Sequence, residues 1–325
     1  MAVLVMDTAT HVLAVAVGDG AGKAWAAASS AVPRAHSRVL QPLLAEVLAT
    51  AGVAAADVTA VGVGIGPGSY TGVRLGVATA KAMAWALGRP LYPVSTLLAL
   101  AEAAVPGESD GEVMVLPLLY ARRQRAFGAL FRKQGVRWET VATPGVRPVQ
   151  AWLAAAHQAL REQVAPLDPA PLRTVPQRAT LAAALPAVPA PRLVVVHDFQ
   201  PAHGLLPLSQ NGMAGTGPGA GAGAGVSAGP GVGAGPGVGA GPGVGAGPGV
   251  GEWASPQDPP WVVAPRAAVI PVDAVGHGMG PAMLRLIAAG AAAPVTGDAV
   301  HDVVPEYTLP VEAEAKLAQK GGMSE

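Results

Sequence analysis

Cysteine is absent from this chain of 325 residues, which removes disulfides, thiolate zinc sites and cysteine nucleophiles together. Charge is sparse: only 13% of residues are Asp, Glu, Lys or Arg, and the 21 basic and 21 acidic side chains cancel. No basic excess therefore draws nucleic acid or an anionic membrane surface. Long apolar runs are lacking too, since none reaches the roughly 20 residues that a membrane helix needs. The opening Met1-Ala2-Val3-Leu4-Val5-Met6 meets an acid at Asp7 with no basic segment before it, so it does not read as an export signal. A cytoplasmic protein without a membrane partner is expected. Aromatic residues make up 4%, and the 51% apolar content rests largely on alanine and valine. At this length, ordinary domain sizes imply about two domains.

Three short apolar segments at residues 2–6, 11–17 and 23–28, the last two joined by Gly18-Asp19-Gly20, read as a meander of strands. Val39, Leu40, Leu43, Leu44, Val47, Leu48 and Ala51 then recur at helical spacing, with Ser37 placed to cap the helix and Gly52 to end it. Pro42 lies too deep for a first-turn proline, so the helix bends there or starts later. A strand at 58–65, a helix at 70–87, a strand at 91–94 and a helix at 96–104 follow. A second set starts near Glu112, with strands at 113–119 and 126–131 flanking Arg122-Arg123-Gln124-Arg125. An amphipathic helix at 149–164, strands at 193–196 and 267–272 and a helix at 279–289 complete it. The leading β-β-β-α-β-α-β-α order is that of a ribonuclease-H-like unit. The expected fold is α/β, an actin-like ATPase architecture of two such lobes, each a mixed five-stranded sheet with flanking helices. The first lobe covers 1–108; the second, reduced, covers 109–200 and 262–310, with a tail at 311–325.

The stretch from Gly64 to Leu87 says most about the chain. Gly64, Gly66, Gly68 and Gly72 fall in a strand-to-helix turn, where the first free helix N–H groups also point. Either an anion or a closely packed neighbour could use such a place. The spacing is neither that of a P-loop nor that of a dinucleotide fingerprint.

As a whole string, G-I-G-P-G-S-Y-T-G-V-R-L-G-V-A-T-A-K-A-M-A-W-A-L-G-R-P-L-Y-P-V-S from Gly64 to Ser95 resembles the signature of the bacterial TsaB (YeaZ) family. Its signature loop would comprise Gly66, Pro67, Gly68, Ser69, Thr71, Gly72 and Arg74. M-D-T-A-T from Met6, H-S-R-V-L-Q-P-L-L-A-E-V-L from His36 and A-R-R-Q-R-A-F-G-A-L-F from Ala121 fit the same family in the same order. Pro305-Glu306-Tyr307-Thr308-Leu309 is similar to its P-x-Y-L-R ending, with Leu309 in place of the arginine.

The resemblance implies an actin-like protein that is the non-catalytic relative of TsaD. It implies a subunit that binds and activates TsaD in forming N6-threonylcarbamoyladenosine beside the tRNA anticodon, with the ATPase TsaE reached through the complex and tRNA touched only indirectly. In that family two helices pack against the equivalent pair of TsaD, or of a second TsaB in a homodimer. Carried onto this chain, the contact would use His36, Leu40, Leu44, Val47, Leu48, Val73, Val77 and Lys81, some of them facing outward. Gly72, Gly76, Ala80 and Ala84 add a small-x-x-x-small spacing that permits close helix approach. Both stripes could instead cover their own sheet, and sequence does not sort the faces.

Asp7, Thr8 and Thr10 stand where an actin-like kinase has its first phosphate loop, but Ala9 replaces the glycine. A capped turn explains them as well as nucleotide binding does. TsaD-like proteins carry a metal-binding histidine pair, four residues apart on one helix face, where this chain has Thr96 and Leu100. No two of its seven histidines have helical pair spacing. No catalytic residue, metal or cofactor is therefore expected. The competing reading is an autonomous kinase or metallopeptidase-like enzyme of the same superfamily, and a third is an elastin-like structural protein. His36 and Ser37, adjacent on a helix, do not face each other as base and nucleophile would. The Arg122–Arg125 cluster is either a solvated hairpin tip or a phosphate contact within a larger complex.

Residues 201–261 are expected to form a disordered Gly/Pro/Ala-rich insertion. Its centre, 212–251, has no charged residue and contains near-copies of Gly-Pro-Gly-Val-Gly-Ala, which supply no side chains for a core. Replacing 212–251 with a short Gly-Ser linker is predicted to leave stability within about 1 kcal/mol, because loop-closure entropy changes slowly with length. Thermal unfolding of the two proteins side by side checks this.

Overall fold

The computed structural model describes residues 1–32, 34–163, 192–200, 203 and 267–306. Apart from His203, the Gly/Pro/Ala insertion expected at 201–261 lies outside them, as does the tail beyond Glu306. The first sheet is built from β1 (Ala2–Asp7), β2 (Leu13–Asp19), β3 (Ala24–Ser30), β4 (Val58–Gly64) and β5 (Leu91–Val94), in the order β3-β2-β1-β4-β5. β1 runs antiparallel to β2 and parallel to β4, and all its residues are buried. The second sheet contains β6 (Ser109–Tyr120), β7 (Arg125–Gly135), β8 (Arg137–Pro148), β9 (Arg192–His197) and β10 (Ala267–Pro271), in the order β10-β9-β6-β7-β8. Pairing repeats the first lobe strand for strand: β6 is antiparallel to β7 and parallel to β9, as β1 is to β2 and β4. This is the duplicated ribonuclease-H-like lobe of the actin-like fold.

Alternation along the central strands divides the protein into layers. Leu4 and Met6 point to one face of the first sheet, which is covered by α1 (His36–Thr50) and α2 (Tyr70–Leu87). Val3 and Val5 point to the other face, onto α3 (Thr96–Ala104) and onto Met279, Met283 and Leu284 of α6 (Met279–Ala288). The same apolar cluster takes in Val113, Val115 and Phe131 of the second sheet and Val272 and Val275 of the short α5 (Val272–Val275). The outer face of that sheet is closed by Trp152, Leu153, Ala156 and Leu160 of α4 (Val149–Gln163). The order is thus α1/α2, sheet, α3/α5/α6, sheet, α4, with the middle helices shared by both lobes. Residues 279–306, numbered with the second lobe by sequence, return to pack on the first. Gly280 lies against Val15 and Ala16, and Leu91 and Val295 exchange backbone hydrogen bonds of 2.8 Å.

Helix boundaries at 70–87 and 96–104 and strand boundaries at 91–94 agree with the sequence reading. Ser37 does not cap α1: the residue before the helix is Ala35, with no side-chain hydrogen bond, and the helix runs unbroken through an exposed Pro42. β8 has no counterpart in that reading.

The larger correction concerns the expected contact residues. Leu40, Leu44, Val47 and Leu48 of α1 and Val73 and Val77 of α2 are all core, packed on their own sheet. The small stripe of α2 also faces inward. A side-chain carbon at Gly72 would approach the Thr8 carbonyl oxygen to 2.1 Å, and one at Gly76 would approach the Thr8 hydroxyl to 2.4 Å. Glycine here seats the helix on the β1–β2 turn.

One charged cluster ties the layers together. Glu102 of α3 accepts hydrogen bonds from Lys133 Nζ of β7 at 2.6 Å, Arg285 Nε of α6 at 2.6 Å and Trp138 Nε1 of β8 at 2.9 Å. The Gly107 amide is a fourth donor at 3.1 Å. Burial alone would push the Glu102 carboxyl up, but the bonds from Lys133, Arg285, Trp138 and Gly107 together hold it below the usual glutamate value of 4.5. The folded protein therefore binds fewer protons here than the unfolded chain. This contribution is complete above pH 4.5 and is lost as pH falls through the folded value. Glu102→Gln leaves a buried lysine without its charge partner and is expected to lower unfolding free energy at pH 7 by about 3–5 kcal/mol. It should also blunt the acid limb of the stability profile. Urea titrations of both proteins from pH 3 to 7 measure both effects.

Candidate functional site

The glycine-rich turn meets the end of β1 at a site closed by the chain itself. Asp7 is fully buried; its Oδ1 accepts from the Ala9 amide at 2.8 Å and its Oδ2 from the Thr96 hydroxyl at 2.7 Å. The Thr96 oxygen in turn accepts from the Gly66 amide at 3.1 Å. Thr8 donates its hydroxyl to the Gly72 carbonyl at 2.6 Å, and the Ser69 amide donates to the Ala9 carbonyl at 2.7 Å. Ser69 caps α2 by accepting from the Gly72 amide. At Gly68 a side-chain carbon would lie 2.3 Å from the Ala9 carbonyl oxygen. Of the two uses open to this turn, close packing is the one seen: Gly68, Ser69 and Gly72 lie directly against Thr8 and Ala9 of the β1–β2 turn. Burial is the main influence on Asp7 and raises its carboxyl above the usual 3.8, with the bonds from Thr96 and Ala9 and the charge of His36 opposing it.

In front of this closed turn lies a cleft of about 620 Å³ between the lobes. Thr10, His11, Arg34, His36 and Ser69 line it from the first lobe, and Tyr120, Asp198 and His203 from the second. Its polar groups are largely committed. His36 Nε2 is 2.9 Å from the Thr10 carbonyl oxygen, and Asp198 accepts from the Tyr120 amide at 2.7 Å. His203 stacks on Tyr120 at 3.7 Å between ring centres, and His11 pairs with Asp273 at 2.6 Å. Burial keeps the Asp198 carboxyl above its ordinary value. Among the described residues no group of three or more His, Asp or Glu side chains is placed to hold a metal ion.

A family model described as TsaD, tRNA N6-adenosine threonylcarbamoyltransferase, matches residues 29–177. A tRNA threonylcarbamoyladenosine biosynthesis protein TsaB from Escherichia coli is 34% identical over 134 residues, which are 41% of this chain and 56% of that protein. The Bacillus subtilis protein of the same description is 33% identical over 147 residues, 45% of this chain and 62% of that protein. Over this part of its length the chain is similar to the TsaB (YeaZ) proteins. It spans a little over half the length of these curated relatives. A solved structure of YeaZ from Pseudomonas aeruginosa is 25% identical, with a TM-score of 0.42 over 60% of this chain and 74% of that one.

Against the TsaB signature, Gly66, Pro67, Gly68, Ser69 and Gly72 make the closed turn itself, with the Gly66-Pro67 peptide in the cis form, while Thr71 and Arg74 are exposed on α2. Of the carried-over contact residues only His36 and Lys81 are partly accessible. Lys81 donates to the carbonyl oxygens of His301 and Val303, fixing the returning chain along α2. Between them runs a groove of about 530 Å³, lined by Arg74, Ala78, Lys81, Ala82, Trp85, His301 and Val304 among others. Trp85 is 50% and Val304 65% exposed. Sequence reasoning missed this groove because the residues of 301–304 give no periodic signal. It also missed Asp198, whose clue was an acid placed directly after a buried strand.

Thr96→Val would leave the Gly66 amide and one Asp7 oxygen without a partner, at an expected cost of about 1–3 kcal/mol. It also removes a bond that favours the charged carboxylate. Because the folded Asp7 carboxyl already lies above 3.8, stability from this group declines as pH rises through that window, and the variant should decline further. Denaturant unfolding of both proteins at pH 4, 5.5 and 7 reads both consequences.

Proposed function

We propose that this protein is the non-catalytic subunit of a bacterial tRNA threonylcarbamoyltransferase, binding and activating TsaD in the biosynthesis of threonylcarbamoyladenosine. The observation that carries this reading is the Thr96 hydroxyl bonded to Asp7. At the helix start where the sister family places the first of its metal-binding histidines, this chain has a threonine that seals the old phosphate loop. The second position is Leu100, a fully buried core residue. With both positions committed to folding, what the protein offers is surface. TsaE acts on it through the complex, and the work is done in the cytoplasm.

The surface that suits a helix pair lies opposite the stripe read from sequence. On α1 the exposed residues include Arg38, Gln41, Ala45, Glu46 and Ala49; on α2 they include Ala78, Ala82, Trp85 and Ala86. Alanines four residues apart on both helices make a low face that admits close helix approach. Trp85 and Val304 beside it supply the large apolar contacts that dominate most interfaces.

Ala78→Glu and Ala82→Glu put a charge on this face without touching the core. Both variants should fold as the parent does and lose TsaD binding by about 100-fold or more, because association would bury an unpaired carboxylate. Leu44→Glu should instead fail to fold. Circular dichroism and titration calorimetry with purified TsaD distinguish the outcomes; undiminished binding by both alanine variants overturns the assigned face. A TsaB homodimer through the same face would appear as a concentration-dependent mass that both variants abolish.

A further inference from the structure

Among the described residues, four that are not glycine have left-handed backbone: Arg34 at φ 57°, Arg122 at 64°, Arg123 at 51° and Gln124 at 57°. This conformation is costly for residues with a side chain, and among them Asn and Asp tolerate it best. At 122–125 the Arg125 amide bonds the Arg122 carbonyl at 3.1 Å, closing a two-residue turn with Arg123 and Gln124 at its centre. Positive φ at both centres is the mirror-image hairpin turn that Asn-Gly fills without strain. The chain instead keeps Arg-Arg-Gln-Arg there. A local choice that opposes the local backbone is found where function holds it in place.

Charge points the same way. Arg122 and Arg123 are exposed, and Arg125 half-buried. Arg147, opposite Ala126 in the β7–β8 register, lies beside the turn and stacks on Trp152 at 4.4 Å. Among the described residues none of these arginines forms an ion pair. The turn opens directly after Tyr120, which lines the interlobe cleft, and Arg34 lines the same cleft from the first lobe. In a chain of zero net charge, three arginines are thus gathered on one hairpin turn, with Arg147 beside it. Asp198, which lines the cleft, accepts from the Tyr120 amide, and Asp273 pairs with His11.

We propose that the β6–β7 turn, with Arg147 beside it, is a contact for the phosphate backbone of an RNA. The inference rests on the preceding reading only for which RNA this is, a tRNA. It makes the contact direct, where the family resemblance implies an indirect one. Arginine suits the role because its planar fork meets phosphate oxygens in pairs. A contact of this kind positions without reading sequence.

The test is fluorescence anisotropy with a labelled, unmodified tRNA transcript from 20 to 200 mM salt, on the chain alone and mixed with TsaD. Arg122→Gln/Arg123→Gln/Arg125→Gln should weaken binding at low salt by about tenfold or more and reduce the log–log salt slope by about 2. The double variant Arg123→Asn/Gln124→Gly should melt at higher temperature than the parent yet bind RNA more weakly. A purely structural turn would show the first change without the second. Mass measured in the same samples reports whether the TsaD pair forms, so failure of the partner reading shows there while the arginine dependence is still read on the chain alone. Binding that is absent in both samples, or the same with and without the three arginines, overturns the proposal.

Discussion

Both sheets rest on the same middle helices, and most of what this protein can and cannot do follows from that. α3 and α6 bury apolar residues against Val3 and Val5 on one side and against Val113 and Val115 on the other. Two lobes that share one unbroken core cannot swing apart as separately packed domains do without opening apolar surface. Glu102 reinforces the joint from within, bonding Lys133 and Trp138 of the second lobe and Arg285 of α6. Those partners are worth most in the geometry that satisfies all of them together.

The front of the first lobe is closed by a different device, the near absence of side chains. Gly72 and Gly76 let α2 descend onto Thr8 until hydroxyl and carbonyl meet at 2.6 Å. Gly68 lets the next turn ride over Ala9. The two approaches are tied by hydrogen bonds of opposite sense, the Thr8 hydroxyl donating to the Gly72 carbonyl and the Ser69 amide donating to the Ala9 carbonyl. An alanine-rich chain with few aromatics gains by such packing, because short side chains bury area only when backbones come close. The same composition leaves alanines on the outward faces of α1 and α2, where a partner helix could approach as closely as α2 approaches β1.

Legibility in the sequence followed locality. The ends of α2 were legible because Ser69 caps it and Gly88 terminates it in left-handed geometry at φ 61°; both signals lie within a few residues of the helix. β8 was not legible. Its residues, including Pro144, Gly145 and Pro148, carry turn chemistry, and its burial does not alternate, being mostly exposed. What makes it a strand is a long antiparallel pairing with β7, a tertiary fact that only the strand-for-strand duplication could have supplied. The contact residues failed for a related reason. Leu40, Leu44 and Val77 recur at helical spacing, and spacing identifies a stripe without saying whether it meets the protein's own sheet or another chain. The exposed alanines that mark the outer face look, in sequence, like filler. Glu102 was equally silent: one acid among Leu97, Ala99, Leu100 and Ala101 announces no partners in residues as distant as Lys133 and Arg285.

Strain separates the two hairpin regions that face the cleft. The β1–β2 turn has no residue with left-handed backbone, and the Ala9 and Val12 amides and the Thr8 and Thr10 hydroxyls find acceptors within the turn or on α2. The equivalent turn of the second lobe, between β6 and β7, has a backbone its residues do not favour and arginines that form no ion pair among the described residues. The two occupy matching places in duplicated lobes, so the fold alone does not account for the difference. Here the first has become part of the core, and the second is left as a charged, strained edge directed to solvent. A surface kept in that condition at a cost in stability is explained by something outside the chain that the arginines meet.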